Sequence, residues 1–355
     1  MKFKYSLSPN YNSSVDTKEI MRNLMFALIF VAICSVVLQY VIYGVEGAIR
    51  AVLILSIAVV TCTAVDYLYF KALKVDKSKL KDKISENVPA VTGIILALCL
   101  PLGDLKTFDM LYITFICSIA AELIGKLIYG GFGYNLFNPA GVGRAFAALA
   151  FGQYLVVPAI DGLASSTPLT ALASSDGLEA ARQTFTNYAS LLFGAHGGSV
   201  GETIIVPIIL AGAYLVYKKV IDWVIPVVSI GTIGVLATIF SVMGGFDMDF
   251  VIVHVLSGGL VFGAVFMLTD PVTNPNNRQG KVIFAIVFAL LTFLIRAKAS
   301  LPEGVVFSIL IVNMLVPLID RYTSNVTNKD TGKKVLSIAV TAVVAIGLTV
   351  LFYFV

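Results

Sequence analysis

Charge is what this sequence has least of. Asp, Glu, Lys and Arg make up 13% of its 355 residues while 58% are apolar, and soluble globular domains carry about 25% charged residues, so an ordinary soluble fold is excluded. Short segments of alternating polar and apolar residues are also missing, which removes a membrane β-barrel. Cysteine is scarce. Cys34, Cys62, Cys99 and Cys117 each lie inside an apolar run, with no C-x-x-C spacing and no flanking histidine, so they read as small packed hydrophobes and no metal or iron–sulfur ligand set is expected. A Gly-rich nucleotide fingerprint is absent too. The formal charge of +4 therefore bears on membrane orientation, and no nucleic-acid partner is expected.

What the chain does have is long apolar runs and a mean hydropathy of +0.92. Apolar segments occur at 24–43, 50–72, 88–102, 108–129, 139–157, 202–218, 223–243, 250–269, 281–297, 304–320 and 334–354. Most are long enough to cross a hydrocarbon core of about 30 Å as helices, which satisfy their own backbone hydrogen bonds in lipid. The third is short for a span. The first run follows a polar head and lacks a small-residue cleavage site, so it reads as a retained span and not a signal peptide.

Basic residues set the expected orientation. With the N-terminus cytoplasmic, the inner side collects the lysines of 71–83, Lys126, Lys218, Lys219, Arg278, Lys281 and the basic residues of 321–334, while the outer side holds Arg50, Lys106, Arg182, Arg296 and Lys298. By the positive-inside rule the loop 158–201 is extracytoplasmic.

The two halves of the chain resemble each other. "TGIILALCLPLG" (92–103) aligns with "FGAVFMLTDPVT" (262–273), with Gly93 to Pro101 spaced as Gly263 to Pro271, and "NPAGV" (138–142) aligns with "LPEGV" (301–305). Five segments per half is an odd number, so the halves insert upside down relative to each other. The expected fold is an all-α polytopic membrane protein of about 10–11 segments: two inverted five-segment repeats plus one C-terminal transmembrane helix, an architecture like that of urea channels. Its parts are 1–157 (first repeat with a cytoplasmic head), 158–201 (outer loop), 202–320 (second repeat) and 321–355 (cytoplasmic loop and final helix). Inverted repeats gather functional sites where helices break near the pseudo-two-fold axis. Here the breaks fall at Pro101, Pro139, Pro271 and Pro302.

Ionisable residues at membrane depth are functional candidates by default. Asp66, Glu122, Lys126 and Arg144 qualify, and His254 also lies in a span. Glu122 and Lys126 stand four apart on one helix face and can neutralise each other; Lys126 can also reach the interface along its alkyl stem. Arg144 lies one turn into the helix opened by Asn138-Pro139, where a helix N-terminus and a guanidinium favour an anion or an electron-rich ring. His254 reads as a hydrogen-bonded interior imidazole. Hydrolytic catalysis has little support, because His196 and the loop hydroxyls make a weak triad. No catalytic residue is assigned.

The outer loop holds "DGLASSTPLTAL" (161–172), a cluster of hydroxyls and one carboxylate that no helix needs. Together with "GGFGYNLFNPAGVGRAF" (130–146), "FMLTDPVTNPNNRQGK" (266–281) and the early "LSPN" (7–10), it resembles the family of the D subunits of Rnf electron-transport complexes and the homologous B subunits of sodium-pumping NADH:quinone oxidoreductases. The resemblance covers nearly the whole chain. It implies FMN attached through its phosphate to a threonine, and Asp161, Gly162, Ser165 and Thr167 match the family's attachment pattern, with Thr167 as the flavin-bearing residue and Ser166 as the fallback acceptor. Ala164 and Ser166 depart from that pattern.

A threonine hydroxyl is a poor nucleophile unaided, so the resemblance also implies a separate flavin transferase. It further implies a non-covalent riboflavin in the transmembrane part, for which Asn138, Asp270 and Arg144 are the candidates. The implied role is a flavoprotein relay in a bacterial or archaeal cell-membrane complex that couples ferredoxin:NAD⁺ electron transfer to Na⁺ or H⁺ translocation, with Rnf subunits of the A, B, C, E and G types as partners. The alternative from the fold is a urea-channel-like channel or transporter for small solutes. A channel has no use for an acceptor threonine in such a loop.

Overall fold

The computed structural model describes residues 17–101, 106–155, 188–194, 198–257, 259–298, 304–324 and 331–354, and these are helical apart from short connections and one isolated β-bridge. Thr167 and the rest of the 161–172 motif lie outside the described residues. Six described helices are long and apolar enough to cross a membrane, or seven if one bent pair is a single span. Large apolar side chains stand exposed around them, among them Val41, Leu149 and Val242. In water such a surface would be unfavourable; against acyl chains it is the expected one.

Helix α1 (Thr17–Ala72) runs for 56 residues, far beyond one membrane crossing, and is broken at Gly44, whose φ of 68° favours glycine. A Cβ on Gly47 would lie 2.7 Å from the Gln39 carbonyl oxygen eight residues earlier, whereas a straight helix separates such residues by about 12 Å. The chain therefore folds back at Gly44, and α1 contains the first two apolar segments. A short polar helix α2 (Lys77–Asn87) leads into α3 (Pro89–Cys99).

The chain then continues as α4 (Thr107–Ile119), extended by a π-helical turn at Ala120–Ile124, and α5 (Pro139–Phe151). Within the 158–201 segment lies α6 (Tyr188–Phe193), and beyond it come α7 (Ile205–Tyr217), α8 (Val224–Gly244), α9 (Met248–Leu256) and α10 (Leu260–Met267). Last are α11 (Arg278–Lys298), α12 (Gly304–Ser324) and α13 (Thr331–Phe354).

Three expected segments are shorter as helices than as apolar runs. α3 has 11 residues and α5 and α7 have 13 each, against the roughly 20 that a span requires. The segment 250–269 is divided into α9 and α10, bent by 49°. Among the described residues, length and composition thus give six candidate spanning helices, or seven with the bent pair, α1 being counted once although it folds back at Gly44.

Short helices survive inside the bundle because their neighbours approach closely and finish their hydrogen bonds. A Cβ at Gly93 would sit 2.8 Å from the Ala58 carbonyl oxygen, so α3 lies backbone to backbone on α1. Gly143 is as tight, 2.6 Å from the Ala121 side chain, which seats α5 against the π-helical turn. Past α3, the Val200 N–H donates to the Leu100 carbonyl at 3.1 Å and the Gly201 N–H to the Leu98 carbonyl at 2.9 Å. Backbone groups freed by the end of α3 are thereby satisfied from the segment before α7. At the other break, Arg296 of α11 donates to the carbonyls of His254 at 2.8 Å and Ser257 at 3.3 Å, capping the end of α9.

Candidate functional site

Two of the sequence's Pro breaks meet. Asn138-Pro139 at the start of α5 and Asp270-Pro271 after α10 line one cleft, together with Val88, Thr92, Ile95 of α3 and Lys126. The cleft has a cavity volume of about 50 Å³, so it is a narrow slot. Apolar walls with a few polar groups are what small-ligand sites share.

Asn138 organises the slot. Its Oδ1 accepts from the Gly141 N–H at 3.0 Å and so caps α5, its Nδ2 donates to the Met267 carbonyl at the end of α10 at 3.1 Å, and its own N–H donates to Asn313 Oδ1 at 3.1 Å. Asn313 on α12 in turn donates from Nδ2 to the Thr273 carbonyl at 3.0 Å. Two buried asparagines therefore stitch α5, α12 and the chain after α10 together. The Asp270 turn is closed locally: its carboxylate accepts from the Val272 N–H at 3.1 Å, and Asn274 Nδ2 donates to the Asp270 carbonyl at 2.7 Å. The pattern "TDPVTN" is an Asx-type turn that ends a helix at membrane depth without stranding its carbonyls.

Beside the slot lies a buried ionic cluster. Lys126 Nζ donates to Glu122 Oε1 at 2.8 Å and to Thr92 Oγ1 at 3.3 Å, and Asn87 Nδ2 donates to Asp66 Oδ2 at 2.7 Å and to Glu122 Oε1 at 3.5 Å. The Asn87 Oδ1 accepts from the Phe132 N–H at 2.6 Å. Asp66 and Glu122 are fully buried and Lys126 is 2% exposed, so the lysine does not reach the surface along its stem as its length would allow. The neutralising pair expected from the i,i+4 spacing is formed. Gly125, whose added Cβ would meet the Pro139 Cα at 2.8 Å, lets Lys126 come this close to α5.

The structure brings Asn138 and Asp270 together and leaves Arg144 apart. Arg144 is buried on α5 but faces Cys117 electrostatically and does not line the slot. Thr167, Asp161, Ser165 and Ser166 fall outside the described residues. His254 is the interior imidazole expected, its Nδ1 3.1 Å from the Phe250 carbonyl and its ring stacked on Phe250 at 4.3 Å. The cysteines are free, with Cys62, Cys99 and Cys117 buried. Sequence reasoning missed Asn87, Asn135 and Asn313. Asn313 was legible as a lone amide within the apolar run "ILIVNMLVP"; Asn87 and Asn135 sit in polar stretches and carry no such signal.

A bundle of this kind, with several apolar spanning helices and broken helices meeting at polar residues inside an apolar shell, is that of a polytopic membrane protein. The model of the family described as NQR2, RnfD, RnfE matches residues 4–329. The chain belongs to that family. It is 36% identical over 334 residues to the D subunit of the proton-translocating ferredoxin:NAD(+) oxidoreductase complex of Clostridium ljungdahlii, covering 91% of this chain and 95% of that one. It is 31% identical to the D subunit of the Na(+)-translocating ferredoxin:NAD(+) oxidoreductase complex of Acetobacterium woodii (90% and 92% covered), and 29% identical to the D subunit of the ion-translocating oxidoreductase complex of Actinobacillus succinogenes (90% and 96% covered).

Proposed function

We propose that this chain is the D subunit of a bacterial ion-translocating ferredoxin:NAD⁺ oxidoreductase complex and that it relays electrons through two flavins. The carrying observation is the full-length similarity to subunits so named, joined to an attachment-like motif, Asp161 to Thr167, in a loop with one basic residue. NAD and ferredoxin are handled by partner subunits, since the chain lacks the corresponding motifs. The N-terminus is cytoplasmic and the 158–201 loop extracytoplasmic.

Thr167 is the anchor of an FMN phosphoester made by a flavin transferase. Covalent attachment replaces a binding equilibrium by a high local concentration. The slot suits the second, riboflavin-type flavin: a flat ring matches a narrow apolar gap. Asn135, which lines it, is 5% exposed and its buried Oδ1 has no hydrogen-bond partner in the protein, so it offers an acceptor to a ligand N–H. Asn135, Thr269 and Lys126 are the residues that would hold that ring, and Asn138 and Asp270 fix the walls. When bound, a flavin supplies one- and two-electron chemistry; the chain's own residues orient it, exclude water and set the local charge.

The inverted-repeat reading is supported by the matched breaks. A residue with positive φ, Val88 at 49° and Gly259 at 68°, precedes each of the short helices α3 and α10, and Pro101 and Pro271 follow them. The test of the flavin reading is the denatured protein coexpressed with a flavin transferase. A flavin-fluorescent band that disappears in Thr167→Ala, with an FMN adduct on the 158–201 peptide by mass spectrometry, is the expected result. A dark wild-type band with no adduct overturns it.

A further inference from the structure

The two carboxylates of the ionic cluster beside the slot are not used by the flavin reading, and the charges of the cluster do not close. Two carboxylates, Asp66 and Glu122, face a single ammonium, Lys126, all within a volume that water does not reach. One amide nitrogen, Asn87 Nδ2, bridges the two carboxyl groups, 2.7 Å from Asp66 Oδ2 and 3.5 Å from Glu122 Oε1. Yet Asp66 Oδ1 and Glu122 Oε2, both buried, find no donor, while their other oxygens share the Asn87 amide N–H group. Two buried carboxylates joined by a single amide, each with one oxygen lacking a donor, repel. In a medium of low dielectric one proton removes both the repulsion and the excess negative charge.

We propose that Asp66 and Glu122 together hold one exchangeable proton, balanced by the Lys126 ammonium, and that this pair is a proton-loading site communicating with the slot through Lys126 and Thr92. The exchange is Asp66–H···Glu122⁻ to Asp66⁻···Glu122⁻ plus H⁺, with no change at any other atom. A metal cation fits less well. An ammonium already occupies Glu122 Oε1 at 2.8 Å, and no group of three or more His, Cys, Asp or Glu side chains among the described residues could hold a metal ion.

The other groups facing the pair are few. Cys62 on α1 approaches both carboxyls and donates from Sγ to the Ser118 carbonyl at 3.7 Å; Asn87 and Thr92 are neutral. Asp270 acts on Lys126 from across the slot, but its carboxylate is held by the Val272 N–H of its own turn. Lys126 is thus the shared element: it lines the slot and is the counter-charge of the pair. A negative charge arising in the slot divides the ammonium's field, so Glu122 is less well compensated and the pair's affinity for its proton rises. This linkage rests on the slot holding a redox group; the shared proton itself does not.

Infrared spectroscopy of the purified complex tests it. At neutral pH the wild type should show a buried carboxylic-acid carbonyl band, shifted on exchange into D₂O, that is absent from both Asp66→Asn and Glu122→Gln, because either remaining carboxyl ionises against Lys126. Lys126→Met should give a second such band, since both carboxyls then need a proton; a purely structural lysine would not. A wild-type band that neither carboxyl variant removes, or one abolished by Na⁺ but not by choline at constant pH, overturns the proposal. Flavin absorbance from the same samples separates the two readings. Bands as expected in protein without a second flavin uphold the shared proton and sink the slot assignment; flavin retained with no such band does the reverse. Should the variants fail to assemble, loss of the band on raising the pH of wild-type complex decides the matter, a band unmoved by pH counting against exchange.

Discussion

Replacing Asn138 by alanine removes two hydrogen bonds of different kinds and leaves a third intact. The bond lost within α5 is the N-cap to Gly141 N–H, and such caps contribute about 1 kcal/mol. The bond lost between segments is Nδ2 to the Met267 carbonyl. Interhelical bonds of this sort inside membranes average about 0.6 kcal/mol with a maximum near 1.7, and Asn138 is only 3% exposed, so water does not replace the lost donor. The backbone N–H to Asn313 persists because no side-chain atom of Asn138 is involved. The sum is a destabilisation of about 1.5–3 kcal/mol. It should appear as a lower midpoint of thermal unfolding in detergent. Asn138→Ser keeps a capping oxygen but is too short to reach Met267, and should recover about 1 kcal/mol of that loss. An alanine variant as stable as the wild type, or a serine variant no better than alanine, would refute the assignment of Asn138 as the tie between the two breaks.

Other outcomes follow from the same geometry. Arg296→Met strips the cap from α9 and leaves the His254 and Ser257 carbonyls without their donor; a loss of about 1–3 kcal/mol is expected, with Arg296→Lys only partly restoring it because one ammonium does not reproduce the fork. Gly143→Val forces α5 off the π-helical turn, where even a Cβ would meet the Cys117 carbonyl oxygen at 2.9 Å, so it should abolish accumulation of the folded chain in membranes by immunoblot. Asp222, in the turn before α8, is different in kind. Burial pushes its carboxyl up, but the Val224 N–H, Lys281 at 3.1 Å and the charge of Arg278 together hold it below the ordinary carboxylate value. A depressed folded-state value stabilises above the unfolded one, near 3.9, and that contribution fades as pH falls through the folded value. Asp222→Asn should therefore lower the thermal midpoint slightly at neutral pH and not at all in strong acid.

The breaks were readable because proline acts locally: Pro139 is the first residue of α5, Pro101 follows the end of α3 by two residues and Pro271 follows the end of α10 by four, while Pro302 lies outside the described residues. The pairing of Glu122 with Lys126 was readable because i,i+4 geometry holds on any helix. The π-helical turns at Ala120–Ile124 and Gly263–Met267 were not. They arise where a helix yields to a neighbour's backbone, and Gly125 and Gly143 only report that contact once the neighbour is known. Arg144 lies early in α5, close enough to Cys117 for its charge to act there, and is not among the residues that line the slot. Arg296 counted in sequence as an outer charge is in fact a buried one, because the carbonyls it serves come from a break forty residues earlier that periodicity does not reveal.

The guanidinium that closes α9 also has a mechanical meaning. It belongs to α11, so that helix cannot slide along its neighbour by even one turn, about 5.4 Å, without baring two peptide oxygens to hydrocarbon. Sliding of α11 along α9 therefore carries the loss of both bonds, a cost that movement at the joints on either side does not incur.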